Sequence, residues 1–380
     1  MNSKDRVLAA LARQPIDLVP VYHLGFSSDV ASALLGREAF VGGGIQRWRE
    51  AVSYWNGQDA HQEFLERSYR DAVAIARVCD HDVLRPEYWR YDRKPTRRVD
   101  ENTFLYEYGP EGEWRVLVYD PASEQCDVAY CKPPPPATFE SVERELAAAE
   151  AALTDYRPTE RGFSAEIRAQ RELGSEYEIR VGAVGVGLPY DSIWLEALLL
   201  RPDLVTRHLD LQLERARRNV AFLAPLGFRL FWGGGDFSSN DGPMYSPRLF
   251  RELVIPRLRA VTEVCHRNGA RHLFASDGDL WPVADVLFGE RTVDGYYEID
   301  RRAGMDLRRL RDRYPELSLF GNVSSHTVHL GTRQEIVEEA LSAIEVARSG
   351  GVVVGTSNYW VPHTPIDNVL TLLQAIRENR

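Results

Sequence analysis

Short apolar runs that end in polar or glycine residues recur along the whole chain. The runs have the length of strands, and after residue 190 amphipathic helical stretches separate them. Strand and helix alternating at this spacing predict right-handed crossovers and a parallel sheet. Eight such units close most simply as an α/β fold of the (β/α)₈ TIM-barrel type, with a doubly wound sheet as the alternative. The runs are 19–23, 82–85, 180–185, 229–236, 271–279, 293–298, 317–322 and 352–358.

Residues 97–131 do not follow this alternation of strands and helices, because apolar and polar positions alternate there over two stretches. Alternation predicts half-buried strands, and Gly109–Gly112 between them predicts a turn, so we expect an antiparallel β-hairpin inserted in the N-terminal half. The hairpin would cover one end of the barrel or make an oligomer contact, which favours a homodimer. Prolines at 133–136 predict a stiff polyproline spacer behind it. We interpret residues 1–380 as a single barrel domain.

Composition and charge narrow the functional classes. The net charge is −10 and no basic run stands out, which argues against nucleic-acid binding. No apolar run approaches 18 residues and the N-terminus lacks a signal-peptide core, so we expect a cytoplasmic protein without a membrane span. The four cysteines show neither CxxC pairing nor zinc-knuckle spacing. Reduced thiols are the expected state.

Candidate chemistry lies where the runs end. The active site of a TIM barrel is built at the carboxyl ends of its strands, so the terminal residues of the runs should converge. Several acids in one mouth repel one another, so either some pKa values rise or a cation occupies the site. The acids could equally cap the helices that follow. The terminal residues are His23, Asp82, Gly185, Asp236, Asp277, Asp279, Glu298, Asn322 and Asn358.

Three of the candidates have competing interpretations. Asp277 is the better functional candidate of its pair, because Asp279 stands where it could be the N-cap of the next helix. Glu298 follows two tyrosines on the adjacent run, and its alternative role is a salt bridge to a following arginine. His363 lies in a loop predicted at the barrel mouth, where it would be an acid or base or simply an exposed histidine.

Several motifs together resemble the uroporphyrinogen decarboxylase-like superfamily, which includes the heme-pathway decarboxylase and cobamide-dependent methyltransferases. The likeness spans most of the chain and is densest from about 228 to 370. It implies a barrel fold but does not fix the reaction. The motifs are Arg6–Leu11, Asp17–Val21, Gly242–Glu252, Ser276–Gly278, Gly304–Leu307, Phe320–Val323, Leu330–Thr332, Gly355–Ser357 and Thr364–Asn368.

The departures from the family pattern say more about chemistry. Thiol-directed methyltransferases of this kind resemble one another in a zinc site made by a His-x-Cys-Gly and a later Cys. Here Ala275 and Asp277 stand at the first two ligand positions and Asn358 at the third. A soft thiolate–zinc site is therefore not expected. The arginine-rich segment by which the decarboxylases hold substrate carboxylates is also missing after the first run, where His23–Ser28 stands instead.

The resemblance implies three hypotheses. The preferred one is a corrinoid-linked methyltransferase or demethylase acting on a small methylated substrate, with the corrinoid carried by a partner protein. Asp277 would then be an acid or metal ligand and Glu298 a ligand or orienting base, and an oxygen-ligated divalent metal such as zinc, if present, would bind both. The second is a metal-free decarboxylase in which Asp82, Asp236 or Asp277 stabilises a protonated intermediate. The third is a non-catalytic binding barrel.

The remaining candidates are assigned to substrate. In the preferred hypothesis the amides are hydrogen-bonding groups and the aromatic rings are pocket walls, while Asp236 and His363 complete the catalytic candidates. The substrate-binding candidates are His23, Asp82, Trp232, Tyr297, Asn322 and Asn358.

Overall fold

A computed structural model describes residues 1–108, 112–132 and 136–380. The predicted turn at Gly109–Gly112 and the polyproline segment at 133–136 fall largely outside the described residues. The strands are β1 Val83–Leu84, β2 Arg97–Arg98, β3 Thr103–Tyr108, β4 Glu113–Asp120, β5 Gln125–Cys131, β6 Glu178–Ile179, β7 Val181–Gly182, β8 Leu230–Gly234, β9 Ser238–Ser239, β10 Gly242–Pro243, β11 Arg271–Ala275, β12 Gly295–Tyr297, β13 Ser318–Phe320 and β14 Val352–Val353.

The α-helices lie between and around these strands. In the second half they follow the strands in turn, as a βα repeat requires. Their bounds are α1 Ser3–Leu11, α2 Ser28–Leu35, α3 Gly44–Asn56, α4 Gln58–Val78, α5 Phe139–Asp155, α6 Ser164–Leu173, α7 Ser192–Leu200, α8 Pro202–Leu223, α9 Pro247–Leu249, α10 Ile255–Arg267, α11 Leu307–Arg313, α12 Ser325–Leu330, α13 Arg333–Ala347 and α14 Ile366–Asn379.

The parallel strands follow one another around a barrel, as the sequence predicts. β7, β8, β11, β12, β13 and β14 form one sheet in chain order, and β1 pairs with β6 just ahead of β7. Residues 19–23 bridge the remaining gap: the Tyr22 N–H donates to Val354 O, and the Asp82 N–H donates to Val21 O, each at 2.8 Å. These residues form a bridge rather than a regular strand, since Pro20 has no N–H for a ladder.

Two apolar layers hold the barrel. The larger lies between the strands and the surrounding helices, and a smaller one fills the barrel interior. The interior layer includes Tyr22, Trp232, Tyr297 and Phe320, with Leu11 of α1 at one end. Successive residues of a strand point to opposite faces, so this layer identifies which residue of each strand points inward. No described helix has both the length and the apolar character needed to cross a membrane.

The predicted hairpin is the centre of a larger unit. β3 and β4 pair antiparallel, and β2 and β5 add an outer strand on each side to give a four-stranded sheet. Its apolar face packs on α3, where an added side-chain carbon at Gly44 would lie 2.4 Å from the Cys126 nitrogen. The β4–β5 turn also reaches α2, since Glu124 accepts the N–H groups of Ser28 and Asp29 at 2.6 and 2.9 Å.

Candidate active site at the mouth of the barrel

Three carboxyl groups meet just beyond the ends of neighbouring strands. Asp236 follows β8, Asp277 follows β11 and Glu298 follows β12. One carboxylate oxygen of each residue lies within 4.8 Å of the others. The Asp277 N–H also donates to Asp236 Oδ1 at 3.4 Å, which fixes two of the three segments relative to each other. The structure therefore brings together Asp236, Asp277 and Glu298 as the sequence predicts, and we name them the carboxyl cluster.

Asp277 is held by an amide from the segment after the last strand, β14. Burial, with the charges of Asp236 and Asp300, raises the pKa of Asp277 to about 6. Asn358 opposes this shift, because its Nδ2 lies 3.2 and 3.1 Å from the two carboxylate oxygens and donates to the charged form. Asp277 is therefore largely ionised at neutral pH and close to its titration range.

Glu298 differs from Asp277 in its surroundings. Burial is the main cause that raises its pKa to about 8, and the charge of Asp277 adds to it, while Arg180 opposes the shift. Its backbone has a φ of 62°, an uncommon conformation for a residue with a side chain, at the point where the chain leaves β12. At pH 7 Glu298 is mostly protonated beside a mostly ionised Asp277, so the site holds a proton donor next to an acceptor.

A cavity of about 580 Å³ opens beside the cluster between the ends of β7 and β8. Asp236 and Glu298 line it together with Trp232, Tyr297 and a stretch of glycines. The two rings contact each other edge to face at 4.8 Å, and the Tyr297 hydroxyl donates to Gly233 O at 2.8 Å. Trp232 and Tyr297 thus form an aromatic part of the cavity wall, and their predicted role in substrate binding stays a prediction.

Two arginines that the sequence analysis missed lie close to these aromatic rings and to Glu298. Arg180, between β6 and β7, covers the rings of Trp232 and Tyr297 at 4.9 and 5.5 Å and donates to the Tyr22 hydroxyl at 2.8 Å. Arg85, directly after β1, donates to Leu24 O and to Glu87 O, each at 3.1 Å. Arg85 ends the predicted run 82–85 and Arg180 begins the run 180–185. The alternation of inward and outward residues along each run was the signal that could have identified them.

Two predicted substrate-binding residues lie outside the mouth. Tyr22 belongs to the interior layer, so its neighbour His23 points away from the cavity; His23 is 1% exposed and packs on Trp360 at 4.8 Å. Burial lowers the pKa of His23 to about 3, which leaves it neutral. Asp82 directly precedes β1 instead of following it, and its carboxylate pairs with Arg6 of α1 at 2.5 Å. The predicted substrate roles of His23 and Asp82 do not fit these positions.

Three other candidates are engaged elsewhere. His363 is exposed, and its contacts are with Ala122 O and the Asp29 carboxylate, on the β4–β5 turn and α2. The predicted catalytic role of His363 therefore does not fit its surface position. Asn322 is buried and donates to Met305 O at 3.1 Å. Asp279 accepts the Trp281 N–H at 2.8 Å, as expected for a cap.

The donor set of the mouth tests which metal would fit. Asp277 is the only member of the three positions Ala275, Asp277 and Asn358 that can bind as an anion, so neither thiolate nor imidazole is offered. The site does not fit the thiolate–zinc centre of the resembling methyltransferases. Three clustered carboxylates do fit a hard divalent cation, which prefers oxygen ligands.

Fold and site together define a (β/α)₈ barrel with a carboxyl cluster at its mouth. Residues 236–379 match the family model of uroporphyrinogen decarboxylase (URO-D), which confirms the predicted resemblance over the part of the chain that carries the cluster. No curated protein sequence matches the chain significantly.

The fold is also similar to solved structures. A methyltransferase from Methanosarcina mazei aligns over 100% of this chain and 99% of its own, with a TM-score of 0.63 and 18% identity. A Listeria monocytogenes protein assigned as a vitamin-B12 independent methionine synthase aligns over 95% of this chain and 98% of its own, with a TM-score of 0.49 and 12% identity. The first likeness, at this low identity, concerns the fold alone, and it agrees with a URO-D-like barrel.

Proposed function

We propose that this protein is a methyltransferase that removes a methyl group from a heteroatom of a small substrate, with Glu298 as the proton donor. The observation that carries the proposal is the position of Glu298 and Asp277, whose carboxylate oxygens lie within 4.8 Å of each other beside a cavity lined by Trp232 and Tyr297. Burial raises the pKa of Glu298 to about 8 and that of Asp277 to about 6, which favours a protonated Glu298 beside an ionised Asp277. Such a pair provides an acid for a leaving group at neutral pH. Similarity to a methyltransferase barrel supports methyl transfer among the reactions that need such an acid.

The proposed step balances as follows. The bond between the methyl carbon and the heteroatom breaks, the heteroatom keeps the electron pair, and it takes the proton of Glu298. The methyl group passes to a nucleophile, and a reduced corrinoid carried by a separate protein would supply that nucleophile. Asp277, positioned by Asn358, stabilises the positive charge that develops on the methyl group as the bond breaks.

The carboxyl cluster also offers a second way to activate the leaving heteroatom. If a divalent cation is bound, Asp236, Asp277 and Glu298 are the residues that would hold it, and it would polarise the heteroatom as a Lewis acid. Metal analysis of the purified protein distinguishes activation by a cation from activation by the proton of Glu298. Stoichiometric metal that is lost in Asp277→Asn would assign activation to the cation, whereas active metal-free protein would assign it to Glu298.

Glu298→Gln tests the acid directly. The amide keeps the shape and hydrogen bonding of the protonated carboxyl but cannot release a proton, so we expect a rate loss of roughly 100-fold or more with substrate affinity nearly unchanged. Methylation of free reduced cobalamin, followed by its absorbance, is the assay, with methyl ethers as substrates. Asp279→Asn is the matched control, because that side chain only accepts the Trp281 N–H.

Decarboxylation is the second candidate, favoured by one observation. Arg85 and Arg180 give the mouth the cations that a carboxylate substrate needs. In that reaction the carbon–carboxyl bond would break and Glu298 would return a proton to the carbon. Release of CO₂ from an acid substrate, without methyl transfer from any methyl ether tested, would replace the proposed function with this one.

A further inference from the structure

Arg85 and Arg180 are two guanidinium groups inside the barrel whose charges act on Glu298 but that form no direct ion pair with a described residue. Among the described residues, no carboxylate oxygen lies within 4.0 Å of either group. By contrast, Arg6 and Arg90, which are also largely buried, each contact two carboxylates within 3.0 Å. Burying a charge without a partner is costly, so two neighbouring cations without counterions call for an explanation.

Both groups retain hydrogen-bond donors that are not used within the described structure. A guanidinium has five N–H donors, and the contacts above use two from Arg85 and one from Arg180. Other arginines of the described residues have a side-chain nitrogen that is sealed in the core without a partner, namely Arg47, Arg49 and Arg311. The nitrogens of Arg85 and Arg180 are not among these sealed atoms, so their unused donors remain available to a ligand.

The pair is next to the reacting groups. Arg180 lies over Trp232 and Tyr297, which line the 580 Å³ cavity together with Glu298. Arg85 lies near the segment that contains Asn358 and Tyr359, because an added side-chain carbon at Gly25 would lie 3.5 Å from Arg85 Nη1 and 3.0 Å from the ring of Tyr359. An anion held by both would thus lie between the aromatic wall and the side of the mouth that positions Asp277.

We propose that Arg85 and Arg180 bind a carboxylate of the substrate, so that the substrate class is a small methylated carboxylic acid. Planar guanidinium groups pair with carboxylates in a fork geometry, and the aromatic wall would contact the apolar body of the same molecule. The proposal deepens and rests on the proposed function, yet binding can be measured without turnover. Failure of methyl transfer therefore leaves the carboxylate site testable.

The experiment compares acids with their neutral amides. Methoxyacetate and 3-methoxybenzoate are titrated calorimetrically into the protein beside methoxyacetamide and 3-methoxybenzamide. We expect at least one acid to bind roughly 10- to 100-fold more tightly than its amide, the usual range for charge-assisted hydrogen bonds. If neither acid binds more tightly than its amide, or neither binds at all, the proposal is wrong.

Variants of Arg85 and Arg180 then test whether these two residues cause the difference in affinity between acid and amide. Arg180→Met and Arg85→Met keep an apolar stem and leave no carboxylate unpaired, so each should fold, and each should reduce acid affinity to that of the amide. Arg180→Lys keeps the charge, so it should retain part of the affinity for the acid. Arg248→Met is the matched control, because Arg248 is exposed outside the site and pairs with Glu252 at 2.8 Å. Equal losses in control and test variants would overturn the assignment.

Discussion

Asp82→Asn separates a structural role for this residue from the substrate role that the sequence predicts. The Asp82 side chain is 1% exposed and pairs with Arg6 Nη1 at 2.5 Å and with Arg380 Nη1 at 3.4 Å. Its second oxygen also accepts the Val21 N–H at 2.8 Å, at the weak point where residues 19–23 join the barrel. The substitution removes the charge but keeps the shape and one acceptor.

The expected loss of stability follows from the buried arginine charge that the substitution leaves without its partner. Removing one partner of a buried ion pair destabilises by about 3–5 kcal/mol, because the other charge stays buried. Arg6 keeps a second partner, Asp17, at 2.8 Å, so we expect the lower end, about 3 kcal/mol. Asp17→Asn is the matched control on the same arginine. Asp17 is 38% exposed, so solvent screening reduces the expected loss to less than about 1 kcal/mol.

Urea unfolding at pH 7, followed by circular dichroism, measures both variants, and calorimetric titration of the acids above measures binding. The structure predicts a lower unfolding midpoint for Asp82→Asn with an unchanged slope, and affinity within a factor of about two once the protein is folded. A loss below about 1 kcal/mol would refute the ion-pair argument. If acid binding is lost while the unfolding midpoint stays unchanged, the substrate-binding role predicted for Asp82 would be supported instead.

Three further outcomes are expected. Burial raises the pKa of Glu178 from 4.5 to about 7. Its contribution to the free energy of unfolding is therefore full below pH 4.5 and is lost as the pH rises through about 7, by at most about 3 kcal/mol. Glu178→Gln should flatten the pH dependence of urea unfolding over this range. His363→Ala should change the methyl-transfer rate less than twofold, and a tenfold loss would place the histidine in the site. Gly233→Ala should lower thermal stability, since its side-chain carbon would lie 2.5 Å from Val184 O; Gly185→Ala, with 3.3 Å to Gly234 O, is the milder comparison in the same melting assay.

The sequence was sufficient for the barrel because its strands are short, apolar and regularly spaced. Each of the eight predicted runs contributes to the circuit of parallel pairings, and only residues 19–23 fail to form a regular strand. The hairpin at 97–131 was predicted, but its outer strands were not. β2 has two residues, and β5 is mostly exposed, so neither carries the apolar alternation that marks a strand.

The sequence placed some residues of the candidate site at the mouth correctly and others not. The reason is that it shows where a residue lies along the chain but not in which direction its side chain points. Asp236, Asp277 and Glu298 follow neighbouring strands, so strand order alone brings them together. For His23 and Asp82, proximity to a run was not enough, because His23 points outward and Asp82 lies before its strand, at the opposite end from the mouth. Direction can be recovered from a sequence only when the register of the whole barrel is known.

The two arginines change what the departures from the family pattern imply. With Ala275, Asp277 and Asn358 at the three positions, the mouth offers no soft metal ligand, but it does hold cations. Arg180 and Arg85 both act on Glu298, and their charges oppose the rise in its pKa. A bound substrate carboxylate adds one negative charge near Glu298, which raises the pKa of Glu298 further and keeps its proton in place until a leaving group needs it. Substrate binding and acid catalysis would thereby reinforce each other through one pair of cations.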